Sequence, residues 1–119
     1  NTYFVEYITN GLCPQQNIES VTVNSLDDAS FSLNNYCADS PNSASAIVTV
    51  GGVFSFNPVP TGGEIINATT GEITGGIAGN TYTVEYTTIG TCSSSQTQNV
   101  LIYSLPSTGP IFHNWFCQE

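Results

Sequence analysis

Four cysteines and a few carboxylates are the residues of this chain whose types and spacing could do chemistry. Cys13, Cys37, Cys92 and Cys117 include no Cys-x-x-Cys pair, and the single histidine, His113, cannot complete a zinc site in the usual way. Disulfide formation is the chemistry that remains, and it implies an oxidising, extracytoplasmic location. The expected bridge joins Cys37 to Cys92. It closes a loop of about 55 residues and contributes about 4 kcal/mol as an upper figure. Cys13 and Cys117 then pair with neighbouring parts of a longer chain. A rival scheme, Cys13 with Cys37 and Cys92 with Cys117, uses all four, and spacing does not choose between them.

Asp27 and Asp28, with Asp39 following, form the one constellation that suits a metal, because hard oxygen ligands bind calcium. The plainer reading is a solvated acidic turn, since the spacing matches no calcium loop. Glu6 and Glu85 are two carboxylates of the kind glycoside hydrolysis needs, but they belong to different copies of a repeat and read as surface residues. No nucleophile motif accompanies His113, so the chain is expected to be non-enzymatic and to use no cofactor beyond calcium. Tyr82, Tyr86, Phe54, Phe56 and Trp115 could stack on sugar rings if exposed, although alternation assigns most of them to a core. Asn67-Ala68-Thr69 fits an N-glycosylation acceptor pattern, which is expected to be a chance match.

The elements that position these residues follow from an internal repeat. Asn1-Thr2-Tyr3-Phe4-Val5-Glu6-Tyr7-Ile8-Thr9-Asn10-Gly11-Leu12-Cys13 returns as Asn80-Thr81-Tyr82-Thr83-Val84-Glu85-Tyr86-Thr87-Thr88-Ile89-Gly90-Thr91-Cys92, with nine of thirteen positions identical at an offset of 79. The register holds to Leu26 against Leu105, and one inserted residue then brings Cys37 onto Cys117. Residues 1–24 are therefore the C-terminal part of a preceding repeat, 25–105 one complete unit, and 106–119 the start of a following one. Ser25 to Ala29 and Ser104 to Thr108 read as short linkers. The start inside a repeat, without Met, signal peptide or apolar span, points to a window of a longer secreted chain.

Of the 119 residues none is Lys or Arg and nine are Asp or Glu, giving a net charge of −9. Nucleic acid and anionic membranes are poor partners for such a surface, and no membrane insertion is expected. Hydrophobic residues at 39% with 11% aromatics argue for a folded β-protein and against disorder. Tyr82-Thr83-Val84-Glu85-Tyr86 alternates as a half-buried strand does. Ala46 to Val50, Gly51-Gly52 and Val53 to Phe56 read as a hairpin with a two-residue turn. Glu64 to Ile66 and Glu72 to Thr74 flank a turn ending in Gly71, and Ser20 to Asn24 and Asn99 to Tyr103 are equivalent last strands. Roughly seven short strands punctuated by turns make the expected fold an all-β, immunoglobulin-like β-sandwich, in tandem. In a simple topology of that kind Cys37 would have to climb back along the sandwich to meet Cys92.

Phe54-Ser55-Phe56-Asn57-Pro58-Val59-Pro60, Asn67-Ala68-Thr69-Thr70-Gly71-Glu72-Ile73-Thr74-Gly75 and Thr81 to Thr88 resemble the tandem repeats of SprB-type adhesins. These are very large cell-surface proteins of gliding bacteria (Bacteroidota). Ser25-Leu26-Asp27-Asp28-Ala29-Ser30-Phe31 and two cysteines per unit extend the resemblance over nearly the whole chain. It departs most at the end, where Pro106-Ser107 replaces the Asp pair and Phe112-His113-Asn114-Trp115 is unlike its counterpart. The resemblance implies export by the type IX secretion system, display on the outer cell surface and movement by the gliding motor. Expected partners are adjacent repeats, that machinery, and surface polysaccharide or substratum. No catalytic residue is implied. Two other readings stay open: a carbohydrate-binding module, and a filament subunit whose half units complete each other by strand exchange.

Overall fold

Alternation of Tyr82, Val84 and Tyr86 with threonine and glutamate gives one apolar face, and a sheet forms around it. The computed structural model describes residues 1–107. It is all-β, with no helix among those residues. Strands β1 (Thr2–Ile8) and β2 (Gln16–Thr22) form a two-stranded antiparallel sheet. Strands β3 (Tyr36–Cys37), β4 (Val53–Phe56), β7 (Thr81–Thr87) and β8 (Ser95–Tyr103) make a four-stranded sheet in the order β3-β8-β7-β4. Strands β5 (Ile65–Ile66) and β6 (Ile73–Thr74) pair separately, Ile66 opposite Ile73.

The repeat in sequence is a repeat in structure. Thr2 pairs with Thr22 and Ile8 with Gln16; the counterparts Thr81 with Leu101 and Thr87 with Ser95 pair in the same register. Each hairpin tip closes alike. Gln15 N–H donates to Thr9 Oγ1 at 2.8 Å, and Ser94 N–H to Thr88 Oγ1 at 2.9 Å. Their surroundings differ. Tyr82, Val84 and Tyr86 are 6%, 0% and 1% exposed, whereas Tyr3, Val5 and Tyr7 are 54%, 56% and 70% exposed. Among the described residues β1–β2 has the apolar face but nothing packed on it. The radius of gyration, 26.9 Å, is accordingly about twice the roughly 14 Å of a compact globule of this length.

Over the β7–β8 face lies a second layer built mostly without regular strands. Ala29 and Leu33 enter the core from one segment, and Ile47, Ile66 and Ile73 from others. Reciprocal bonds of 2.8 Å between Ser32 and Ser45 tie the first two segments together. Phe31, Phe54 and Tyr86 form an aromatic cluster with centroids 4.5 to 5.9 Å apart, Phe31 standing edge-on to Phe54.

The hairpin expected at Ala46 to Phe56 is not formed. Only β4 is a strand, and it pairs with β7 instead. Val48 N–H bonds to Ser30 and Thr49 N–H to Asp28, so 46–50 belongs to the other layer. The cause is Tyr86. Its hydroxyl accepts from Gly52 N–H at 2.8 Å and donates to the Thr49 carbonyl at 2.7 Å. Gly51, at φ +90°, turns the chain over the ring, and a Cβ on Gly52 would lie 2.6 Å from Tyr86 Cζ. The glycine pair is a crossing between layers. The turn before Gly71 is as expected: Gly71 has φ +73°, and Asn67 Oδ1 accepts from the amides of Thr69 and Thr70 at 2.9 and 3.1 Å.

Removing the Tyr86 hydroxyl strands one amide and one carbonyl at the crossing. Tyr86→Phe should therefore destabilise the fold by about 1–3 kcal/mol in urea unfolding. Tyr7→Phe, the repeat-equivalent change on the open hairpin, should stay within about 0.5 kcal/mol of the parent.

Candidate functional site

The sulfur-bearing residues are separated by the course of residues 28–38. Ser30 Oγ reaches Gln96 Oε1 at 3.3 Å, Leu33 N–H donates to Gln98 Oε1 at 2.9 Å, and Leu101 N–H donates to Asn35 Oδ1 at 2.8 Å. Tyr36 and Cys37 then join Ile102 and Tyr103 in a parallel ladder. The segment thus runs beside β8 from its Ser95 end to its Tyr103 end. Leu33 and Tyr36 face inward, and glutamine and asparagine side chains supply the cross-links that a continuous backbone ladder would otherwise supply. Cys37 ends up beside Tyr103, whereas Cys92 lies in the loop before Ser95. About 27 Å of strand lies between them, far beyond the Cα separation of about 4.4–6.8 Å that a disulfide tolerates. The expected Cys37–Cys92 bridge is therefore not formed, and Cys13, Cys37 and Cys92 are free thiols. Cys13 sits at the tip of β1–β2, so the rival Cys13–Cys37 pairing is not made either. Cys117, His113 and Trp115 lie outside the described residues.

Cys92 is the thiol with the most developed surroundings. The linker from β2 docks on the β7–β8 tip: Asp27 N–H donates to the Cys92 carbonyl at 2.9 Å, and Ser94 Oγ donates to the Asp27 carbonyl at 2.6 Å. The Cys92 thiol faces the Asn24 carbonyl, sulfur to oxygen 3.9 Å. A Cβ on Gly90 would stand 2.9 Å from Asp27 Oδ2, so the aspartate carboxylate lies close over the tip. A linker that sequence reads as a spacer is thus a docked segment.

The calcium constellation is not assembled. Asp27 and Asp28 lie at the tip end of β8, whereas Asp39 follows Cys37 at the opposite end with φ 65°. No group of three or more potential ligands occurs among the described residues. Asp28 is already engaged: the Ser30 hydroxyl first and the Ser30 amide second hold its carboxyl below the ordinary value. Glu85 accepts from Asn57 Nδ2 at 2.8 Å across the β4–β7 pair, and Glu6 is exposed on β1, so the two glutamates form no pair. Of the expected aromatics, Phe54, Phe56, Tyr82 and Tyr86 are all buried in the core and present no stacking platform. Asn67 uses its Oδ1 in the turn before Gly71.

One carboxylate that sequence reading passed over has a distinctive setting. Tyr82 OH donates to Glu64 Oε1 at 2.8 Å and accepts from Ile77 N–H at 2.9 Å, while Glu64 Oε2 is enclosed without a partner. Glu64 lines a shallow groove of about 510 Å³ with Pro58, Pro60 and Asn80. Its carboxyl is held below the ordinary value by its own backbone amide first and by Tyr82 second. A smaller groove of about 280 Å³ lies between Tyr36, Asp39 and Glu72. No family model, curated protein or solved structure matches this chain.

The depressed Glu64 value fixes the sign of a pH effect. Its contribution is present above the unfolded-state value and is lost as pH falls through the lower folded value. The stability advantage of the parent chain over Glu64→Gln should hold at pH 7 and shrink below about pH 4. Urea midpoints between pH 2 and 7 measure it, and an advantage that stays constant across that range would rule out the carboxylate as its source.

Proposed function

We propose that residues 25–105 are one complete immunoglobulin-like unit of a tandem array, the non-enzymatic stalk of a very large bacterial surface adhesin of the SprB type. The observation that carries this reading is the twice-formed hairpin. Residues 1–22 and 80–101 share sequence, register and tip closure, and the few residues that join the first to the next unit dock on that unit's tip. The second layer over β7–β8, with its Ser32–Ser45 bridge and the β5–β6 pair, supports a sandwich whose second sheet is largely irregular. Each unit is entered at the tip of β7–β8 and left at the far end of β8, so successive units follow head to tail. Stability in such an array resides mostly in each unit and its two junctions.

The surface chemistry agrees. With no Lys or Arg and a net charge of −9, the units repel one another at low salt and stay extended. A chain without basic residues also offers no trypsin site, an advantage outside the cell. In this reading the protein is exported by the type IX system, stands on the outer surface and is moved by the gliding motor. Its repeats project an adhesive tip toward polysaccharide or substratum.

One observation favours a second reading. Among the described residues Tyr3, Val5 and Tyr7 are exposed and both outer edges of β1–β2 are unpaired, as they would be in a filament subunit awaiting strand exchange. The mass of the reduced, denatured polypeptide from its native source separates the two. The stalk reading expects a mass many times 12.6 kDa, with antibodies to residues 25–105 labelling intact cells. A mass near 12.6 kDa would overturn it in favour of the filament.

A further inference from the structure

The repeat register and the docked linker together bring two cysteines of different units to one place. Cys37 is the cross-strand neighbour of Tyr103, the last residue of β8. At the offset of 79 the counterpart of Tyr103 is Asn24, the residue that follows the β1–β2 hairpin into the linker. The counterpart of Cys37 in the preceding unit is therefore the cross-strand neighbour of Asn24. The Tyr103 carbonyl accepts from Ala38 N–H at 2.9 Å, so the equivalent Asn24 carbonyl is the one that faces the preceding unit's cysteine segment, and the Cys92 sulfur lies 3.9 Å from that carbonyl. The exit-end cysteine of one unit and the tip cysteine of the next thus approach the same side of a single residue. We propose that these two residues form a disulfide, Cys37 of each unit with the Cys92 counterpart of the unit after it, so that every junction of the array is covalently closed.

The geometry suits this pairing and no other among the cysteines. Neighbouring strands lie about 4.8 Å apart, so the Cys37 position is one strand spacing from the residue that the next tip touches. Both cysteines thus lie against one residue, in place of the roughly 27 Å of strand that parts the two cysteines of a unit. Cys37 is exposed at its strand end and Cys92 half-buried under the linker, so one sulfur is free to swing and the other is held. Pairing within a unit would have to span the length of β8, and Cys13 with Cys37 would have to span two hairpins in series. Under this assignment each cysteine of the 119-residue chain takes its partner from another unit, and none pairs with another in the chain.

The bond forms by ordinary thiol–disulfide exchange with a small disulfide such as oxidised glutathione. One cysteine thiolate, its proton lost to solvent, attacks the external disulfide and releases one glutathione thiol. The second cysteine thiolate then displaces the other glutathione. Two cysteine thiols are oxidised, one glutathione disulfide is reduced to two thiols, and the balance closes. Export to an oxidising compartment supplies the conditions.

The proposal rests on the tandem reading of the chain and not on adhesion. Its test uses the full chain lengthened in register by one unit, residues 1–104 followed by residues 26–119. Cysteines are replaced by serine so that only Cys37 of the first whole unit and Cys92 of the second remain. A companion keeps only Cys37 and Cys92 of the first. Both are equilibrated with reduced and oxidised glutathione, then alkylated and weighed. The junction variant should lose both reactive thiols and two hydrogens of mass, and the companion should keep both thiols. Oxidation of the companion, or free thiols in the junction variant, would overturn the proposal. Circular dichroism and small-angle scattering separate the two failures. If the added unit folds and lengthens the particle but the thiols stay free, only the disulfide is wrong. If it does not lengthen the particle, the tandem reading fails as well.

Discussion

The two layers of this unit meet at the Tyr86 hydroxyl. The ring lies in the aromatic cluster with Phe31 and Phe54, and its oxygen reaches the one place where the chain passes from the irregular layer to β4. A buried backbone amide and carbonyl must be paired somewhere, and at this crossing no strand is available to pair them. Tyr86 therefore does two things: its ring fills the core, and its hydroxyl satisfies the connection above that core. Because Gly52 must lie against the ring, the position of β4 follows, and with it the edge of the four-stranded sheet.

A second constraint is the path of residues 28–38. Only two residues, Tyr36 and Cys37, make a regular ladder with β8, yet the whole segment runs beside it. Gln96, Gln98 and Asn35 hold it there through side-chain amides, which leaves the backbone free to dip Ala29 and Leu33 into the core. This path carries the chain from one end of the unit to the other. It determines that the two cysteines of a unit end at opposite poles.

What was legible in the sequence was whatever local chemistry decides. Alternation located β7, and Asn67 with Gly71 located the β5–β6 turn. The repeat at offset 79 marked Asn1 to Cys13 and Asn80 to Cys92 as equivalent, and the two hairpins that contain them pair in one register. What was not legible depended on partners distant in the chain. Ala46 to Val50 has strand composition, but its bonds go to Asp28 and Ser30, and the glycines after it are taken by Tyr86. Asn99 to Tyr103 reads as a strand, but its extension back through Ser95 to Gln98 depends on pairing with β7 and on side-chain cross-links to residues some 65 positions away. The aspartates looked like one cluster only because Asp39 is near Asp28 in sequence; the run beside β8 places them at opposite ends. Tyr7 and Tyr86 make the same point within one chain, since the same residue in the same register is open in one hairpin and sealed in the other.

The run of 28–38 beside β8 also sets the direction in which the unit resists being stretched. The chain enters against Cys92 and leaves after Tyr103, so a pull on its two ends acts along the axis of β8. The seven paired positions of β7–β8 and the side-chain rungs from Gln96 to Leu101 would then have to slide past one another together, not open one at a time as a zip does. A fold strung this way is strongest along the line through its two ends, and weakest to a sideways tug at the β4 edge.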